Sequence, residues 1–392
     1  MREWKARIAP PKWSSQGQGI AACGAPETVE RQKEFRMAKS AAEKVGIYAP
    51  YGWDDATYMA GSLYDLASNV FGFNVSYLSV ALHEQGVHFL WDASVLNGTK
   101  HSFKTWADGC AHITWLHLHP GKLEAAIQMG CKNTLVALPH RLTSGDFPLL
   151  SRFNRVVCPT KALYDTLKNK VGHRNIQYVP WDTHLPIREK EGTRSSGRVR
   201  VLVPLDSPTA RAIGPLVLHT LRILLDGNPD VEVTILYGKN WPQMALLALH
   251  ELLDLHENRV KALKKPNHCQ RIEEYSNTDW VFCPNIADNS GLAALEGLAC
   301  GAPAVSFNAA PYNEFLIPFH NACLAKCDVV ENMMGLPQIR PNARELLDTL
   351  YEACQNRVVL HNLRRQAWPE LEERRRCFQT YWRRQWADVL KN

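Results

Sequence analysis

The sequence predicts an α/β protein with two doubly wound, parallel-sheet domains that face each other across a cleft. At 392 residues the chain exceeds the roughly 250–300 residues at which one core stops growing, so two domains are expected. Short β-type runs alternate with helix-type stretches in two series, which is the pattern of parallel sheets covered by helices. A charged, Gly/Ser-containing segment between residues 184 and 197 separates the series and predicts a linker.

The first series follows an irregular, basic N-terminal extension over residues 1–44, which has no clear period and contains Pro10-Pro11. The first domain is expected over residues 45–190. Its helices are predicted over residues 58–71 and from Lys161 onward. Its strands are predicted in the runs VGIYAP, FNVSYLSV, VHFLW, HITWLHL, TLVALP, RVVCP and IQYVP.

The second domain is expected over residues 198–360, with strands in VRVLVPL, VEVTILYG, DWVFCP and PAVSFN. Its helices are predicted over residues 213–225, 242–256 and 292–300. A final helix is predicted over residues 361–392. This helix carries an apolar stripe that should dock on protein, formed at four-residue spacing by Phe378, Trp382, Trp386 and Leu390.

The composition excludes several classes of protein. Hydrophobic residues make up 45% of the chain and charged residues 21%, which is ordinary for a globular protein and argues against long disorder. No apolar run approaches the roughly 18 residues that cross a bilayer, and the first residues lack the apolar stretch of a signal peptide. The 11 cysteines include no Cys-x-x-Cys pair, which favours free thiols in a reducing compartment. A cytoplasmic protein without a transmembrane segment is therefore expected.

The most informative stretch is DWVFCPNIADNSGLAALEGLACGAPAVSFN, residues 279–308. It predicts a buried strand, a loop of small polar residues and a helix that begins at Ser290-Gly291. The free N–H groups and the positive end of the dipole at this helix start form a site suited to a diphosphate. Gly291 would allow close approach to the backbone, Glu296 could accept hydrogen bonds from a ribose, and Asp288 could reach sugar hydroxyls.

This stretch resembles the motif of the large retaining glycosyltransferase family that includes sucrose synthase and bacterial mannosyltransferases, glycosyltransferase family four, whose fold is GT-B. In that family an acidic residue, seven residues and a Glu precede a Met-Ala-Cys-Gly-x-Pro-Val-Val run. Here Asp288 and Glu296 precede Leu-Ala-Cys-Gly-Ala-Pro-Ala-Val. The resemblance covers roughly residues 199–310. It implies two Rossmann-like domains, a C-terminal helix that crosses back to the first domain, and sugar transfer from a nucleoside diphosphate sugar, a UDP-sugar above all.

The resemblance also implies roles for individual residues. Glu296 would bind the donor ribose and Asp288 the transferred sugar, although the family usually has a Glu at the latter position. Backbone donors to the diphosphate would come from Ser290, Gly291 and Leu292. The family's phosphate-binding basic residues correspond less clearly, and the candidates are Arg211, Lys239, Lys264 and Lys265.

The first domain offers further candidates at its strand ends, because ligands bind outside the carboxyl ends of parallel strands. His140 follows TLVALP, where the family often has a histidine that touches the donor sugar. An inverting enzyme would instead need a base such as Asp54 or Asp55. The segment after the first strand should face the cleft and contact the acceptor through Tyr51, Gly52 and Trp53.

Two other interpretations are less favoured by the residues. His112, His117 and His119 suggest a metal site, but the spacing lacks partner cysteines or carboxylates, so neither a metal nor another cofactor is expected besides the donor. A dehydrogenase or an epimerase would need Gly-x-Gly-x-x-Gly after its first strand, which neither VGIYAPYGWDD nor VLVPLDSPTA provides.

The charge at the two ends of the chain suggests the acceptor. Residues 1–44 hold nine Lys/Arg against five Glu, and residues 361–392 hold eight against four acids, among Trp residues. A DNA acceptor with a hydroxymethylated pyrimidine is the leading hypothesis, with Arg374, Arg375 and Arg376 on its phosphates. The alternatives are a lipid-linked or polysaccharide acceptor, with peripheral contact to anionic lipid, and a non-catalytic scaffold that binds sugar nucleotides.

Overall fold

The structure is a computed structural model, and by its contacts the chain divides into residues 1–42 and residues 43–392. All described residues belong to the second unit, so the predicted N-terminal extension lies outside them. They are residues 44–49, 59, 63, 66, 74–79, 112–116, 127, 132–138, 142, 144–183, 185, 197–205, 210–238, 241–264, 266, 268–286, 288, 290–331, 337–366 and 368–390.

The first half of this unit is a parallel sheet with strand order β2-β1-β3-β4-β5-β6. Its strands are β1 (Lys44–Ala49), β2 (Asn74–Ser79), β3 (His112–Leu116), β4 (Lys132–Val136), β5 (Arg155–Cys158) and β6 (Ile176–Tyr178). A short 3-10 helix, η1 (Ser144–Asp146), leads into α1 (Phe147–Leu150), and α2 (Lys161–Val171) follows β5. The predicted strand VHFLW lies outside the described residues.

The second half contains another parallel six-stranded sheet, with the order β12-β11-β10-β7-β8-β9. Its strands are β7 (Val199–Leu205), β8 (Val231–Tyr237), β9 (Val260–Lys264), β10 (Trp280–Cys283), β11 (Ala304–Phe307) and β12 (Ala322–Ala325). Its helices are α3 (Ala210–Gly227), α4 (Gln243–Leu255), α5 (His268–Asn277) and α6 (Leu292–Ala299), followed by the 3-10 helix η2 (Tyr312–Glu314). An antiparallel hairpin, β13 (Asp328–Glu331) and β14 (Pro337–Arg340), follows β12.

The second sheet has the strand order 3-2-1-4-5-6 when its strands are numbered from β7. The chain therefore reverses direction across the sheet between β7 and β10, which pair in parallel. In sheets of this kind ligands bind outside the carboxyl ends of the strands at that switch point. Helix α6 follows β10, so its N-terminus lies at this edge.

Local sequence explains where the elements begin and end. β7 reads VRVLVPL and is almost entirely buried, as expected for a parallel strand covered on both faces. α2 begins after Thr160, whose side chain accepts a hydrogen bond from the backbone N–H of Leu163. The same helix ends at Gly172 in the left-handed conformation, with φ 66°.

The C-terminal helices return to the first sheet. α7 (Ala343–Gln355) and α8 (Arg357–Gln366) precede α9 (Trp368–Leu390). In α9 the side chains of Phe378, Trp382 and Trp386 are buried in one hydrophobic cluster with Val45 and Ile47 of β1. The predicted α/β class, the two parallel sheets and the returning C-terminal helix are confirmed. No helix in the described part of the chain is long and apolar enough to cross a membrane.

His112 in β3 is a buried histidine with an unusual environment. It is 3% exposed, and neither ring nitrogen hydrogen-bonds to any described residue. Burial lowers its pKa from 6.5 to about 3, and the positive charges of Arg155 and Lys132 add to the shift. His112 is therefore neutral in the folded protein at any pH near neutrality.

This environment predicts a loss of stability in acid. Below pH 6.5 the unfolded chain protonates His112 and the folded chain does not, so the free energy of unfolding falls as pH drops toward 4. The contribution approaches about 1.4 kcal/mol per pH unit. In urea unfolding from pH 7 to pH 4, His112→Leu should flatten the slope by this amount. His219→Leu, at an exposed position of α3, is the control. Equal slopes for His112→Leu and the wild type would show that His112 is not the source of the pH dependence.

Candidate functional site

The start of α6 is the centre of the candidate site. Gly291 is its N-cap, with φ 69° and ψ 28°, and the Gly291 carbonyl accepts hydrogen bonds from the N–H groups of Ala294 and Leu295. Leu292 and Ala293 occupy the first two helical positions, where an N–H has no acceptor within its own helix. Together with the helix dipole, these two donors at the switch point of the sheet can bind an anion such as a phosphate.

Asp288 organises the turn that leads into α6. Its Oδ1 accepts hydrogen bonds from the N–H groups of Ser290 (3.1 Å) and Gly291 (2.9 Å). Its Oδ2 accepts from the Tyr312 hydroxyl (2.9 Å) and from the Asn285 amide (3.3 Å). A carboxylate has about four acceptor positions, so this one is fully used. The N–H groups of Ser290 and Gly291 thus donate to Asp288, and the contact of Asp288 with sugar hydroxyls stays a prediction.

Two buried polar atoms near the same turn have no partner among the described residues. These are the hydroxyl oxygen of Ser290, which is 0% exposed, and the amide oxygen Oδ1 of Asn285. A buried polar group without a hydrogen bond costs free energy, so each such group calls for an explanation, and a bound ligand is one. Ser290 directly precedes the N-cap Gly291, so its hydroxyl is a candidate donor to an anion bound at the start of α6.

Gly291 meets two separate requirements. Its φ of 69° lies in the left-handed region. A Cβ on Gly291 would also lie 2.7 Å from Cζ and 2.8 Å from Cε1 of Phe315, far inside normal contact. The Phe315 ring therefore fills the space beside the turn that a larger residue would need.

Glu296 forms a buried ion pair with Arg271 of α5. Its Oε2 accepts from Arg271 Nε at 3.1 Å and from Nη2 at 2.9 Å, and Glu296 is 1% exposed. Arg271 Nη2 also donates to the Tyr275 hydroxyl at 3.2 Å. Removing one member of a buried pair leaves an uncompensated charge, which costs about 3–5 kcal/mol. A truncation of Glu296 would therefore perturb folding as well as any contact with a ligand.

Arg374 faces the interior of the protein. Its Nε donates to the carbonyl of Trp181, and its guanidinium lies 4.8 Å from the centre of the Phe315 ring. Burial lowers the pKa of Arg374, while Tyr178 and Glu314 oppose that shift. The predicted contact of Arg374 with phosphates finds no support in this inward-facing position and stays a prediction. The sequence carried the signal, because Arg374 lies four residues before Phe378 and shares the buried face of the helix.

The two following arginines differ from each other. Arg375 pairs with Asp182 at 2.8 Å and donates to the carbonyl of Leu185 at 2.6 Å. It links α9 to the chain that leaves the first sheet, and its predicted contact with an acceptor stays a prediction. Arg376 is exposed and pairs with Glu373 on the same helix, and its role toward an acceptor stays a prediction.

The structure describes the remaining predicted site residues only in part. The structure describes the backbone of Arg211 in α3 but not its side chain, and Lys264 ends β9 with an exposed side chain. The others lie outside the described residues: Tyr51, Gly52, Trp53, Asp54, Asp55, His117, His119, His140, Lys239 and Lys265. Within the described ranges, no three His, Cys, Asp or Glu side chains are grouped to hold a metal ion.

Sequence reasoning missed the residues that hold the site in place. Tyr312, Phe315 and Arg271 are buried around the α6 turn, and Glu314 lies beside them. Tyr312 begins the three-residue helix η2 after β11 and Phe315 follows it, in a stretch too short to show a periodic pattern. Nothing local in this stretch, which reads PYNEFLIPF, distinguishes the two residues from those of an ordinary loop.

Solved structures of three proteins are similar to this chain. A glycosyltransferase from Rickettsia africae matches over 90% of this chain and 100% of its own, at 12% sequence identity and a TM-score of 0.65. HepE from Anabaena, solved with UDP and glucose, matches over 89% and 99%, at 15% identity and a TM-score of 0.60. A TarM mutant from S. aureus, solved with fondaparinux, alpha-GlcNAc-glycerol and UDP, matches 71% of this chain at 13% identity and a TM-score of 0.54.

The likeness assigns the chain the GT-B fold, which the motif of residues 279–308 predicted. This chain spans 55% of the length of the TarM structure. No protein-family model matches the sequence, and a search of curated proteins by sequence finds no match. At identities of 15% or less, these structural matches show the fold alone.

The geometry at Gly291 predicts the effect of a single methyl group. Gly291→Ala and Gly172→Ala both place alanine at a positive φ, which costs roughly 1–2 kcal/mol. No atom lies within 4 Å of a Cβ on Gly172, whereas Phe315 blocks the one on Gly291. Gly291→Ala should therefore lower the free energy of unfolding in urea by about 1–3 kcal/mol more than Gly172→Ala. Equal losses would show that Phe315 does not constrain this turn.

Proposed function

We propose that this protein transfers a sugar from a nucleoside diphosphate sugar to an acceptor hydroxyl, with the donor diphosphate bound at the N-terminus of α6. The observation that carries the proposal is the α6 turn at the switch point of the second sheet. There Leu292 and Ala293 present N–H groups with no acceptor in their helix, and the Ser290 hydroxyl is buried without a partner among the described residues. Three donors of this kind suit the oxygens of a diphosphate.

The same arrangement suits the chemistry of transfer. When the bond between the sugar and the diphosphate breaks, negative charge grows on the departing oxygens. Fixed N–H donors and a helix dipole stabilise that charge without reorganising, because Asp288 already holds the turn in place. The acceptor oxygen forms the new bond to the sugar and loses its proton.

The finer assignment is a UDP-sugar enzyme of glycosyltransferase family four that retains the configuration of the sugar. It is supported by the spacing of Asp288, Glu296 and the run over residues 298–305, and by the UDP bound in HepE and TarM. Glu296 remains the candidate for the donor ribose. The ion pair with Arg271 stabilises the charged carboxylate of Glu296 inside the protein. Without Arg271, a ribose hydroxyl would be the sole partner of that buried charge.

The acceptor proposal changes with the structure. A hydroxymethylated pyrimidine in DNA was favoured by basic residues at both ends of the chain, and two of these, Arg374 and Arg375, are engaged inside the protein. The proposal now depends on Arg376, on the exposed Arg384, and on residues before residue 44. A polysaccharide acceptor needs none of these contacts, and a lipid-linked acceptor uses the exposed basic residues only for peripheral contact with anionic lipid.

A single added charge tests the donor site. Ala293→Glu places a carboxylate at the second position of α6, where it favours the helix but competes with a diphosphate for the same N–H groups. In calorimetry with UDP, the affinity should fall at least tenfold, with the melting temperature unchanged or slightly raised.

Ala343→Glu provides the matched control, because it adds the same charge to the first turn of α7, outside the site. Its UDP affinity should equal that of the wild type. A wild-type protein that does not bind UDP or any other nucleoside diphosphate would contradict the proposed function. Equal UDP affinity of Ala293→Glu and wild type would remove α6 from the site.

A transfer assay tests activity and acceptor together. Labelled UDP-sugars are incubated with the protein and with hydroxymethylated DNA, unmodified DNA, or a membrane lipid and glycan extract, each with EDTA and again with manganese. Label is expected in hydroxymethylated DNA but not in unmodified DNA, and transfer should survive EDTA because no metal is expected. Label in lipid or glycan alone would move the acceptor to the second class. UDP binding without any transfer would favour the scaffold.

A further inference from the structure

Residues 312–315 contact both the α6 turn and the start of α2. Tyr312 acts on the first of these. Its hydroxyl donates to Asp288 Oδ2 at 2.9 Å, and Asp288 Oδ1 holds the N–H groups of Ser290 and Gly291. The position of Tyr312 therefore fixes the carboxylate that shapes the turn before α6.

Glu314 binds the start of α2. Its Oε2 accepts from the N–H of Lys161 at 2.7 Å, and its Oε1 accepts from the N–H of Ala162 at 3.0 Å. Lys161 and Ala162 are the first two residues of α2, where helical N–H groups have no partner in their own helix. Glu314 thus caps a helix of the first half with a carboxylate of the second half, in the sense that the helix dipole favours.

The two contacts are mechanically linked because a short, well-bonded turn joins them. The Tyr312 carbonyl accepts from the N–H groups of Phe315 at 3.1 Å and Leu316 at 2.8 Å. Asn321, which is fully buried, donates to the Phe315 carbonyl and accepts from the N–H of Ile317. Such a turn moves as a unit, so displacement of Tyr312 displaces Glu314.

Phe315 adds a third constraint on the same unit. One part of its ring closes the space beside Gly291, and the guanidinium of Arg374 lies 4.8 Å from the ring centre. Leu292, the first residue of α6, is buried in one cluster with Trp382 of α9 and with strands of the first sheet. Phe315 therefore contacts both the turn before α6 and Arg374 of α9. Leu292 packs the start of α6 against the first half.

We propose that Tyr312 and Glu314 are positioning residues, which couple the order of the α6 turn to the N-terminus of α2. The proposal rests on the proposed function in one respect, because a diphosphate at α6 is the ligand that orders the turn. A ligand that binds only the ordered turn stabilises the Tyr312 and Glu314 contacts with it. By reciprocity, breaking the Glu314 contact lowers the affinity for that ligand.

Residue-resolved amide hydrogen exchange of the full chain tests the coupling directly. The N–H groups of Lys161 and Ala162 report on Glu314, and they are remote in sequence from α6. Saturating UDP should slow their exchange at least threefold in the wild type. Glu314→Ala should raise their exchange at least tenfold without UDP and remove the effect of UDP. Wild type that binds UDP with unchanged or faster exchange at these two residues would overturn the proposal.

Tyr312→Phe separates coupling from a purely structural contact. It removes only the hydroxyl that donates to Asp288, so Glu314 still accepts from the N–H groups of Lys161 and Ala162 while the link to the α6 turn is broken. At saturating UDP, the variant should show no slowing at Lys161 and Ala162. Tyr351→Phe in α7 is the control and should respond like the wild type. A full response in Tyr312→Phe would contradict the role of Tyr312.

Hydrogen exchange measured without ligand tests the coupling separately from the proposed function. Asp288→Asn removes the charge that Tyr312 and the turn bind, and it should raise exchange at Lys161 and Ala162 at least threefold in the free protein. Leu350 in α7 is the control for global loosening. If Leu350 also exchanges faster in Asp288→Asn, then Tyr312→Phe is measured in the free protein instead, and the same rise at Lys161 and Ala162 is expected. No rise would overturn the coupling. Failure of UDP to bind, with the rise present, would overturn only the donor assignment.

Discussion

The rest of the site depends on the hydrogen bonds that the carboxylate of Asp288 accepts. A loop of small polar residues has no core of its own to fix its shape, so its backbone must be held by hydrogen bonds. Asp288 supplies two of them to the residues just before α6, and Asn285 and Tyr312 hold Asp288 in turn. The left-handed Gly291 and the free N–H groups that follow it are consequences of this one arrangement.

Periodicity predicted the scaffold well because burial in a parallel sheet leaves a direct mark on the sequence. β7 and the first residue of α2 coincide with the prediction, since VRVLVPL is apolar except for Arg200 and Thr160 is a side-chain cap. β9 and β12 were missed because fewer of their residues are buried than in β10 and β11, which are fully buried: one of five in β9 and two of four in β12. Short edge strands of this kind have too few residues to show a period.

The site was less predictable than the scaffold, for a different physical reason. The motif located the α6 turn, because a strand, a glycine and a helix start are local features. The direction of each side chain is decided by contacts with residues distant in sequence. Arg374 donates to Trp181, 193 residues earlier, and Asp288 accepts from Tyr312, 24 residues later, besides the nearby N–H groups of Ser290 and Gly291. The basic chain end favoured phosphate contacts for Arg374, and the family resemblance favoured a sugar contact for Asp288.

The path of α9 has a consequence for how this protein can be divided. Its aromatic side chains complete the core beneath the first sheet, while Leu292 of the second half is buried in the same cluster. Neither half is therefore a self-contained module. A chimera that exchanged one half at the linker would leave Trp382 and Trp386 facing foreign packing, so the unit that evolution or engineering can exchange is the first half together with its returning C-terminal helix.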